Sequence, residues 1–306
     1  MMRIFTDLSR VCIITLLYIT VASCAGACVS SPKIKPVRHN FPVKSFVQIR
    51  TETLWEGCEP DEKTKKEKCK KAVVRAVSSG SYVAHSEVDS SISYVLTAGH
   101  SCKSTFKPQT VVSGVKITHL GQRFTIVEYS GLKHRAKVIS IDKRFDTCLL
   151  SVNNVFIKPP VLRVSAGEPK RGELCYNMAA PHGILSPQMV LTFDGYFSGY
   201  SPEGFAMYTI PTKPGSSGSP IININNELVG IIFAGYRSME NIGVASPLVA
   251  IKIFLKKSIA KAEMEVWGSL NKGGDSTSTT TTEKLDRLNH KLDEYFHIPT
   301  VKSLGK

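Results

Sequence analysis

The stretch PGSSGSPIININNELVGIIFAG (residues 214–235) places serines between two glycines, directly before a run of apolar residues. A surface linker would account for the glycines and serines but not for the apolar run. A serine held on a tight turn as a nucleophile accounts for both features. Because a serine hydroxyl attacks at neutral pH only with a base within hydrogen-bond reach, this interpretation requires a histidine and a carboxylate elsewhere in the chain.

A histidine and an aspartate upstream have suitable surroundings. His100 ends the apolar segment SYVLTAGH, and Asp146 stands directly before the apolar segment TCLLSV. A carboxylate at the entrance to a buried strand is costly unless it is hydrogen-bonded. An imidazole N–H is a suitable partner, because this bond fixes the tautomer whose other nitrogen acts as a base. Several other histidines lie in charged or polar segments, where we interpret them as solvated side chains.

The segment that contains these residues, from Ser45 to Ala262, has a β pattern of short apolar runs bounded by Gly, Pro, Asn and Ser. Many short strands without alternating helices favour barrels or a sandwich over a parallel α/β sheet. Asn225 and Asn226 are predicted to form a hairpin turn. The predicted strands include Phe46–Arg50, Ser93–Ala98, Arg123–Tyr129, Ala136–Ile141, Thr147–Val152 and Leu228–Ala234.

The C-terminal part is predicted to be helical. SPLVAIKIFLKKSIAKA (Ser246–Ala262) fits a helix with Ser246 as N-cap and Pro247 at the first position. The composition of Asn271–Thr282 is typical of a flexible linker, which we place at residues 266–282. Residues 283–306 then form a short amphipathic tail, either a docking segment or a frayed end, because it is too short for a stable coiled coil. Its apolar positions at helical spacing are Leu285, Leu288, Leu292 and Phe296.

The N-terminus resembles an export signal. Arg3 and Arg10 precede the apolar segment VCIITLLYITV, which is too short to span a bilayer but suits a signal peptide over residues 1–23. The sequence VASC resembles a bacterial lipobox, which makes Cys24 a candidate for lipidation. Cleavage after AGA (residues 25–27) and an uncleaved anchor are the alternatives. Residues 24–44 are predicted to be a tether, and the protein to be exported to the periplasm or cell envelope, lipid-anchored or secreted.

Of the eight cysteines, Cys12 leaves with the signal peptide and Cys24 is the lipidation candidate, so six remain that could form disulfides in an oxidising compartment. Cys58 and Cys69 bracket a polar segment that cannot pack by itself, and a disulfide between them would add about 2–3 kcal/mol by restricting the unfolded chain. Their spacing does not suit a zinc site, which needs close pairs of ligands. Cys148 and Cys175 lie in strand-like runs and are expected to be free buried thiols.

The formal net charge of +14 predicts attraction to anionic surfaces. The densest basic run, Asp61–Lys71, is interpreted as a solvated loop, with contact to anionic envelope surfaces or an acidic partner as the alternative. No nucleic-acid signature and no internal repeat is present in the sequence, and no cofactor or metal is expected. The oligomeric state is left open.

Four segments resemble, in order, the successive blocks of the trypsin-like (chymotrypsin-fold) serine peptidases. These segments are LTAGH, FDTCLLSV, GELCYNMAAPHG and PGSSGSPIININNELVGIIFAG. The closest similarity is to the bacterial HtrA/Deg branch and its phage-borne relatives, although the segment after Ala262 is too short for a PDZ domain. The resemblance implies an all-β domain at residues 45–265, made of two six-stranded antiparallel β-barrels with a C-terminal helix.

The resemblance also implies a serine endopeptidase that acts on proteins or peptides through an acyl-enzyme. Ser217 would be the nucleophile, since it alone fits the pattern Gly-x-Ser-Gly, with His100 as base and Asp146 as orienting carboxylate. The N–H groups of Gly215 and Ser217 would form the oxyanion hole. Ser219, where the family usually has glycine, is a departure from the pattern.

The primary substrate pocket is also placed by the resemblance. Its floor would involve Pro211 and Thr212, and its walls Phe233, Ala234 and Gly235 together with residues 243–245. No carboxylate falls at this floor, which disfavours lysine or arginine before the cut and favours a small or medium apolar residue. Two other function classes stay open: a catalytically silent binding module on the same scaffold, and a basic surface-binding protein.

Overall fold

The computed structural model describes residues 40–60, 67–103, 109–112, 115–153, 157–236, 238–270 and 278–297. The predicted signal peptide, Cys24 and residues 61–66 of the basic run lie outside the described residues. No helix within the described ranges is long and apolar enough to cross a membrane.

The first part of the chain forms a closed antiparallel barrel of six strands. In spatial order these are β1, β2, β3, β7, β6 and β5, and the pairing of β1 with β5 closes the barrel. The additional strand β4 lies beside β5. The strands are β1 (Phe46–Pro60), β2 (Glu67–His85), β3 (Ser93–Ala98), β4 (Gln109–Val112), β5 (Val115–Glu128), β6 (Lys133–Asp142) and β7 (Thr147–Val152).

The second barrel also has six antiparallel strands and is closed in the order β10, β13, β12, β11, β8 and β9. Asn223–Glu227 forms the turn between β11 and β12 and contains Asn226 in the left-handed region, so the predicted hairpin turn is confirmed. The strands are β8 (Leu174–Ala179), β9 (Leu191–Tyr200), β10 (Ala206–Tyr208), β11 (Pro220–Ile222), β12 (Leu228–Tyr236) and β13 (Met239–Pro247). The all-β fold with two six-stranded barrels is therefore as expected.

The strands nearest the predicted base and carboxylate are buried along their whole length. All six residues of β3 and all six of β7 are buried, and the two strands pair from Ser93 with Val152 to Ala98 with Thr147. Continuous apolar runs predict strands that are covered on both faces. Consequently the residues after β3 and before β7 lie side by side at one end of the barrel.

Three α-helices are present in the described residues: α1 (Gly99–Cys102), α2 (Leu248–Leu270) and α3 (Ser278–Tyr295). The helix predicted at Ser246–Ala262 begins later and ends later than expected. Ser246 is not an N-cap, because it lies in β13 and its hydroxyl donates to Phe145 O at 2.5 Å. The predicted linker was also too long, because α3 already includes residues 278–282. Residues 279–282 are threonines, and the stronger helix formers that follow them extend the helix towards the N-terminus over these positions.

The described part of the tail, residues 283–297, docks on the rest of the chain. Leu292 is 7% exposed and Phe296 is fully buried within the main apolar cluster. Lys256 Nζ of α2 lies 2.5 Å from Asp293 Oδ1 of α3, and Tyr295 donates to Val83 O. The docking alternative is therefore the correct one.

Two disulfides are present among the described residues. Cys58 and Cys69 are bonded as predicted, and they lie opposite each other on the paired strands β1 and β2. The expectation that Cys148 is a free thiol was wrong, because Cys148 is bonded to Cys102. Strand pairing places the start of β7 beside the end of β3, where α1 carries Cys102. Cys175 is a free buried thiol, as expected.

Candidate active site

His100 and Asp146 form a directly bonded pair. His100 Nδ1 lies 2.6 Å from Asp146 Oδ2, and the His100 backbone N–H donates to Asp146 Oδ1 at 2.8 Å. The His100 side chain is 47% exposed and that of Asp146 is 23% exposed. Both carboxylate oxygens are therefore engaged by one residue, and the Nε2 side of the ring remains available to a substrate or a nucleophile.

The backbone around this pair is tightly constrained. Gly99 N–H donates to Asp146 O at 2.7 Å, and Asp146 has a φ of 52°, in the left-handed region. A Cβ added at Gly99 would lie 2.9 Å from Asp146 Oδ1. Any larger residue at position 99 would therefore push the carboxylate away from the imidazole.

Ser217 lies on a turn that requires glycine at positions 215 and 218. Gly215 has a φ of 97° and Gly218 a φ of 85°, both in the region that favours glycine. A Cβ at Gly218 would lie 2.1 Å from Ser79 O and 2.1 Å from Thr97 Oγ1. The turn is thus pressed against β2 and β3 of the first barrel, which brings Ser217 to the side of the barrel that carries His100.

Ser79 of β2 connects the two barrels at this turn, and the sequence analysis missed it. Its N–H donates to Ser217 O at 2.7 Å, and its hydroxyl donates to Gly215 O at 2.8 Å. The same hydroxyl accepts from Ala180 N–H, and the Ser79 carbonyl accepts from Thr97 Oγ1. Ser79 therefore fixes the residues on both sides of Ser216.

The N–H groups of residues 215–219 fall into two groups. Those of Ser216, Gly218 and Ser219 donate to backbone carbonyls within the protein. Among the hydrogen bonds of the described residues, none has the N–H of Gly215 or Ser217 as donor. These are the two groups that the family resemblance assigned to an oxyanion hole. Ser219 is fully buried and its hydroxyl accepts from Asn177, so this departure from the family pattern leaves the turn intact.

His100 and Ser217 line the same cleft of about 330 Å³, which we call the His100 cleft. The hydrogen bonds within the described part of the chain do not include one between Ser217 Oγ and the imidazole. Such bonds are often long before substrate binds. The other residues lining the His100 cleft are Thr51, Thr53, Trp55, Val74, Ala76, Val77, Ser78, Ser101, Lys103, Gln122, Pro214 and Gly215.

A second pocket of about 390 Å³, the Ala234 pocket, lies on the other side of Ser217. Of the predicted pocket residues it contains Thr212, Ala234 and Gly235, but not Pro211, Phe233 or residues 243–245. Side chains alternate along β12, so Phe233 points to the other face, where its ring packs against Phe205. The remaining lining residues, which sequence analysis did not assign to the pocket, are Lys213, Pro214, Ser216, Ile232 and Tyr236.

Ile232, and not Pro211, lines the Ala234 pocket. A Cβ at Gly243 would lie 2.7 Å from Ile232 Cδ1 and 3.2 Å from Thr212 Cγ2, so both side chains lie close to the backbone of Gly243. Ile232 is 1% exposed. The lining therefore combines the apolar side chain of Ile232 with the hydroxyl of Thr212.

Comparison with known proteins identifies the family of the chain. The family described as "Trypsin-like peptidase domain" matches residues 78–231, which is half of the chain. The chain belongs to the trypsin-like peptidase family. The matched region begins at Ser78, beside the junction residue Ser79, and includes His100, Asp146 and Ser217.

One similar solved structure is that of the serine endoprotease from Yersinia pestis. It is 17% identical to this trypsin-like peptidase, with a TM-score of 0.49, and the similarity covers 71% of this chain and 63% of that one. The present chain thus matches less than two thirds of that protein's length. A search of curated proteins finds no match.

Proposed function

We propose that this trypsin-like peptidase is a serine endopeptidase that cleaves peptide bonds through an acyl-enzyme on Ser217. The observation that carries the proposal is the bonded pair His100–Asp146 on the cleft that Ser217 also lines. In the proposed first step, Ser217 Oγ attacks the substrate carbonyl carbon and its proton passes to His100 Nε2. Asp146 holds the proton on Nδ1 and stabilises the imidazolium that forms.

The carbonyl oxygen gains negative charge as the Ser217 Oγ–C bond forms. The N–H groups of Gly215 and Ser217 are the donors proposed for this charge. A missing donor of this kind typically costs about 3 kcal/mol of transition-state stabilisation. The tetrahedral carbon then expels the amine, which takes the proton from His100 Nε2 and leaves Ser217 acylated.

Water completes the reaction by the same route. His100 removes a proton from a water molecule as its oxygen attacks the acyl carbon, and it returns that proton to Ser217 Oγ as the ester bond breaks. The products are an amine and a carboxylic acid, and the enzyme is restored. No group beyond the three side chains and the two N–H donors is required.

The Ala234 pocket is proposed to bind the side chain that precedes the cut. Its lining by Ile232, Ala234 and Thr212 favours alanine, valine, serine or threonine over lysine or arginine. The lining contains no carboxylate to pair with a basic side chain. The hydroxyl of Thr212 offers a hydrogen bond to a small polar side chain.

Export is part of the proposal. Two disulfides, Cys58–Cys69 and Cys102–Cys148, are typical of proteins that fold in an oxidising compartment. They support the signal peptide predicted at residues 1–23, while lipidation of Cys24 remains a proposal based on the lipobox resemblance.

Labelling with a fluorophosphonate tests the proposed chemistry. The folded wild-type protein should be labelled on Ser217, and Ser217→Ala and His100→Ala should abolish labelling. Ser101→Ala is the matched control, because Ser101 lines the same cleft and has no role in the proposed reaction. Lack of labelling of the folded wild-type protein would refute the proposal and favour a silent binding module. Cleavage of a peptide library would then define the preference of the Ala234 pocket.

A further inference from the structure

The first barrel carries a group of cations on the outer side of β1, β5 and β6. Side chains alternate between the two faces of a strand, and residues opposite each other in neighbouring strands share a face. Arg50 of β1, Thr125 of β5 and Arg135 of β6 are opposite one another in this way. The exposed cations on this side, which we call the basic face, are Arg50, Arg123, Lys133, Arg135 and Lys137.

The other side of the same strands faces the barrel core and the His100 cleft. Ile49 and Ile126, which neighbour Arg50 and Thr125 along their strands, are buried in the core. Further along β1, Thr51 and Thr53 line the His100 cleft, whereas no cation of the basic face does. The basic face therefore lies on the reverse of the cleft wall, and a partner bound there leaves the cleft open to substrate.

The charges of the basic face are not neutralised by carboxylates. Among the described residues, none of its five cations forms an ion pair. Arg50 donates to the side-chain oxygen of Gln48, which is a neutral group. Glu52 lies opposite Arg123 on this side, but its carboxylate is paired with Arg75 at 3.1 Å. The basic face therefore presents a positive potential to solvent.

The spacing of these cations suits a surface of many anions and not a single anion. Lys133 and Lys137 are four residues apart on β6, which corresponds to about 14 Å, and Arg50 lies two strands from Arg135, or about 10 Å. One phosphate or carboxylate cannot contact cations that are so far apart. A layer of anionic groups can contact all of them.

Exposed apolar side chains border the basic face. Leu132 directly precedes Lys133 and is 56% exposed. Leu54 and Val73 lie opposite each other on the outer side of β1 and β2, and they are 36% and 47% exposed. Affinity for a lipid interface grows both with the apolar area that it buries and with the attraction of cations to anionic headgroups. This composition therefore favours a bilayer over a purely polar polyanion.

We infer that the basic face binds the surface of a bilayer that contains anionic phospholipids. An acidic polypeptide would be recognised by a groove or by an open strand edge. Here each of the three strands is paired on both sides, β1 with β2 and β5, β5 with β1 and β6, and β6 with β5 and β7. The inference does not depend on the proposed function, because the basic face contains no residue of the proposed reaction.

Partitioning of the whole chain onto vesicles tests this inference. The probes are vesicles of phosphatidylcholine alone and vesicles of phosphatidylcholine and phosphatidylglycerol in equal parts, separated from free protein by sedimentation. The measured quantity is the ratio of the two partition coefficients, since an apolar or lipidated N-terminus would contribute equally to both. The wild-type ratio should exceed about 100 at about 0.1 M salt and fall close to one at about 1 M salt.

A triple variant removes three charges of the basic face: Arg123→Gln, Arg135→Gln and Lys137→Gln. Each cation at an anionic bilayer contributes about fivefold to partitioning, so the variant should lower the ratio about 100-fold. The companion variant with Arg123→Lys and Arg135→Lys keeps the charges and should keep the ratio within about twofold, because attraction to the bilayer follows charge.

A matched control removes three exposed cations that lie outside the basic face: Lys158→Gln, Lys170→Gln and Lys257→Gln. It has the same net charge as the basic-face triple variant, and its ratio should fall less than about fivefold. Thermal unfolding of both triple variants should match that of the wild type, because all six side chains are exposed. Equal losses in the two triple variants would overturn the inference, since net charge and not the basic face would then drive binding.

Two other results would also overturn the inference. One is a wild-type protein that partitions equally onto neutral and anionic vesicles. The other is binding to polyglutamate or to duplex DNA that the basic-face triple variant loses, without a preference of the wild type for anionic vesicles. In that case the basic face would serve a different class of partner.

Discussion

The substitution Asp146→Asn tests the role proposed for the His100–Asp146 pair. One carboxylate oxygen accepts the His100 backbone N–H at 2.8 Å, and the other lies 2.6 Å from Nδ1. An asparagine has a single acceptor oxygen. If this oxygen keeps the backbone bond, the amide NH₂ faces Nδ1 and donates to it. The ring proton then moves to Nε2, where the imidazole can no longer accept the proton of Ser217.

The size of the effect follows from two contributions. If the amide turns so that its oxygen accepts from Nδ1–H, the correct tautomer is restored. Its NH₂ then faces the backbone N–H of His100, and this donor loses its acceptor at a cost of about 1–3 kcal/mol. The neutral amide also no longer stabilises the imidazolium. Two unit charges about 4 Å apart interact by about 4 kcal/mol at an effective dielectric constant of about 20. Because the His100 side chain is 47% exposed, solvent reduces this second contribution.

Together these contributions predict a loss of about 4–6 kcal/mol, or roughly 10³- to 10⁴-fold in kcat. The assay is hydrolysis of a peptide with alanine before the cut at neutral pH, with thermal unfolding as a check of folding. KM should change little, because Asp146 does not line either pocket. A folded Asp146→Asn protein that keeps kcat within tenfold of the wild type would refute the reasoning.

Three other predictions follow from single contacts. Ser79→Ala should lower kcat and cost about 1–3 kcal/mol of stability, because it leaves a buried N–H unpaired. In contrast, Ser81→Ala should be nearly neutral in the same kinetic and unfolding assays, since the buried Ser81 hydroxyl has no partner among the described residues. Replacing Cys102 and Cys148 together by serine should cost about 3–4 kcal/mol, measured by denaturant unfolding. Burial raises the pKa of Cys175 to about 12, so this thiol should resist alkylation at pH 8 until the protein unfolds.

Each of these three has a result that would contradict it. Equal kcat values for Ser79→Ala and Ser81→Ala would show that the hydroxyl of Ser79 does not position the Ser217 turn. An unchanged unfolding midpoint without the disulfide would show that the paired strands alone hold α1 in place. Rapid alkylation of the native protein at Cys175 would contradict its burial. Because the pKa of Cys175 is raised, its thiol in the folded protein stays neutral until well above pH 9. The free energy of unfolding therefore falls as pH rises from about 9 towards 12.

Local patterns predicted the strands around the site well. The apolar runs Ser93–Ala98 and Thr147–Val152 match β3 and β7 residue for residue. In both cases the run is continuous and bounded by turn residues, so burial on both faces decides the structure. The hydrogen-bonded pair of His100 and Asp146 follows from these strands, because their pairing brings the two adjoining turns together.

Contacts between distant segments could not be predicted in the same way. Ser79 is one of several serines in VSSGSYV, and only its neighbours across two barrels distinguish it from the others. The Cys102–Cys148 bond spans 46 residues and depends on the position of α1 over β7. Ile232 belongs to an apolar run in which sequence does not show which face meets the Ala234 pocket. In each case the deciding information is the tertiary neighbour.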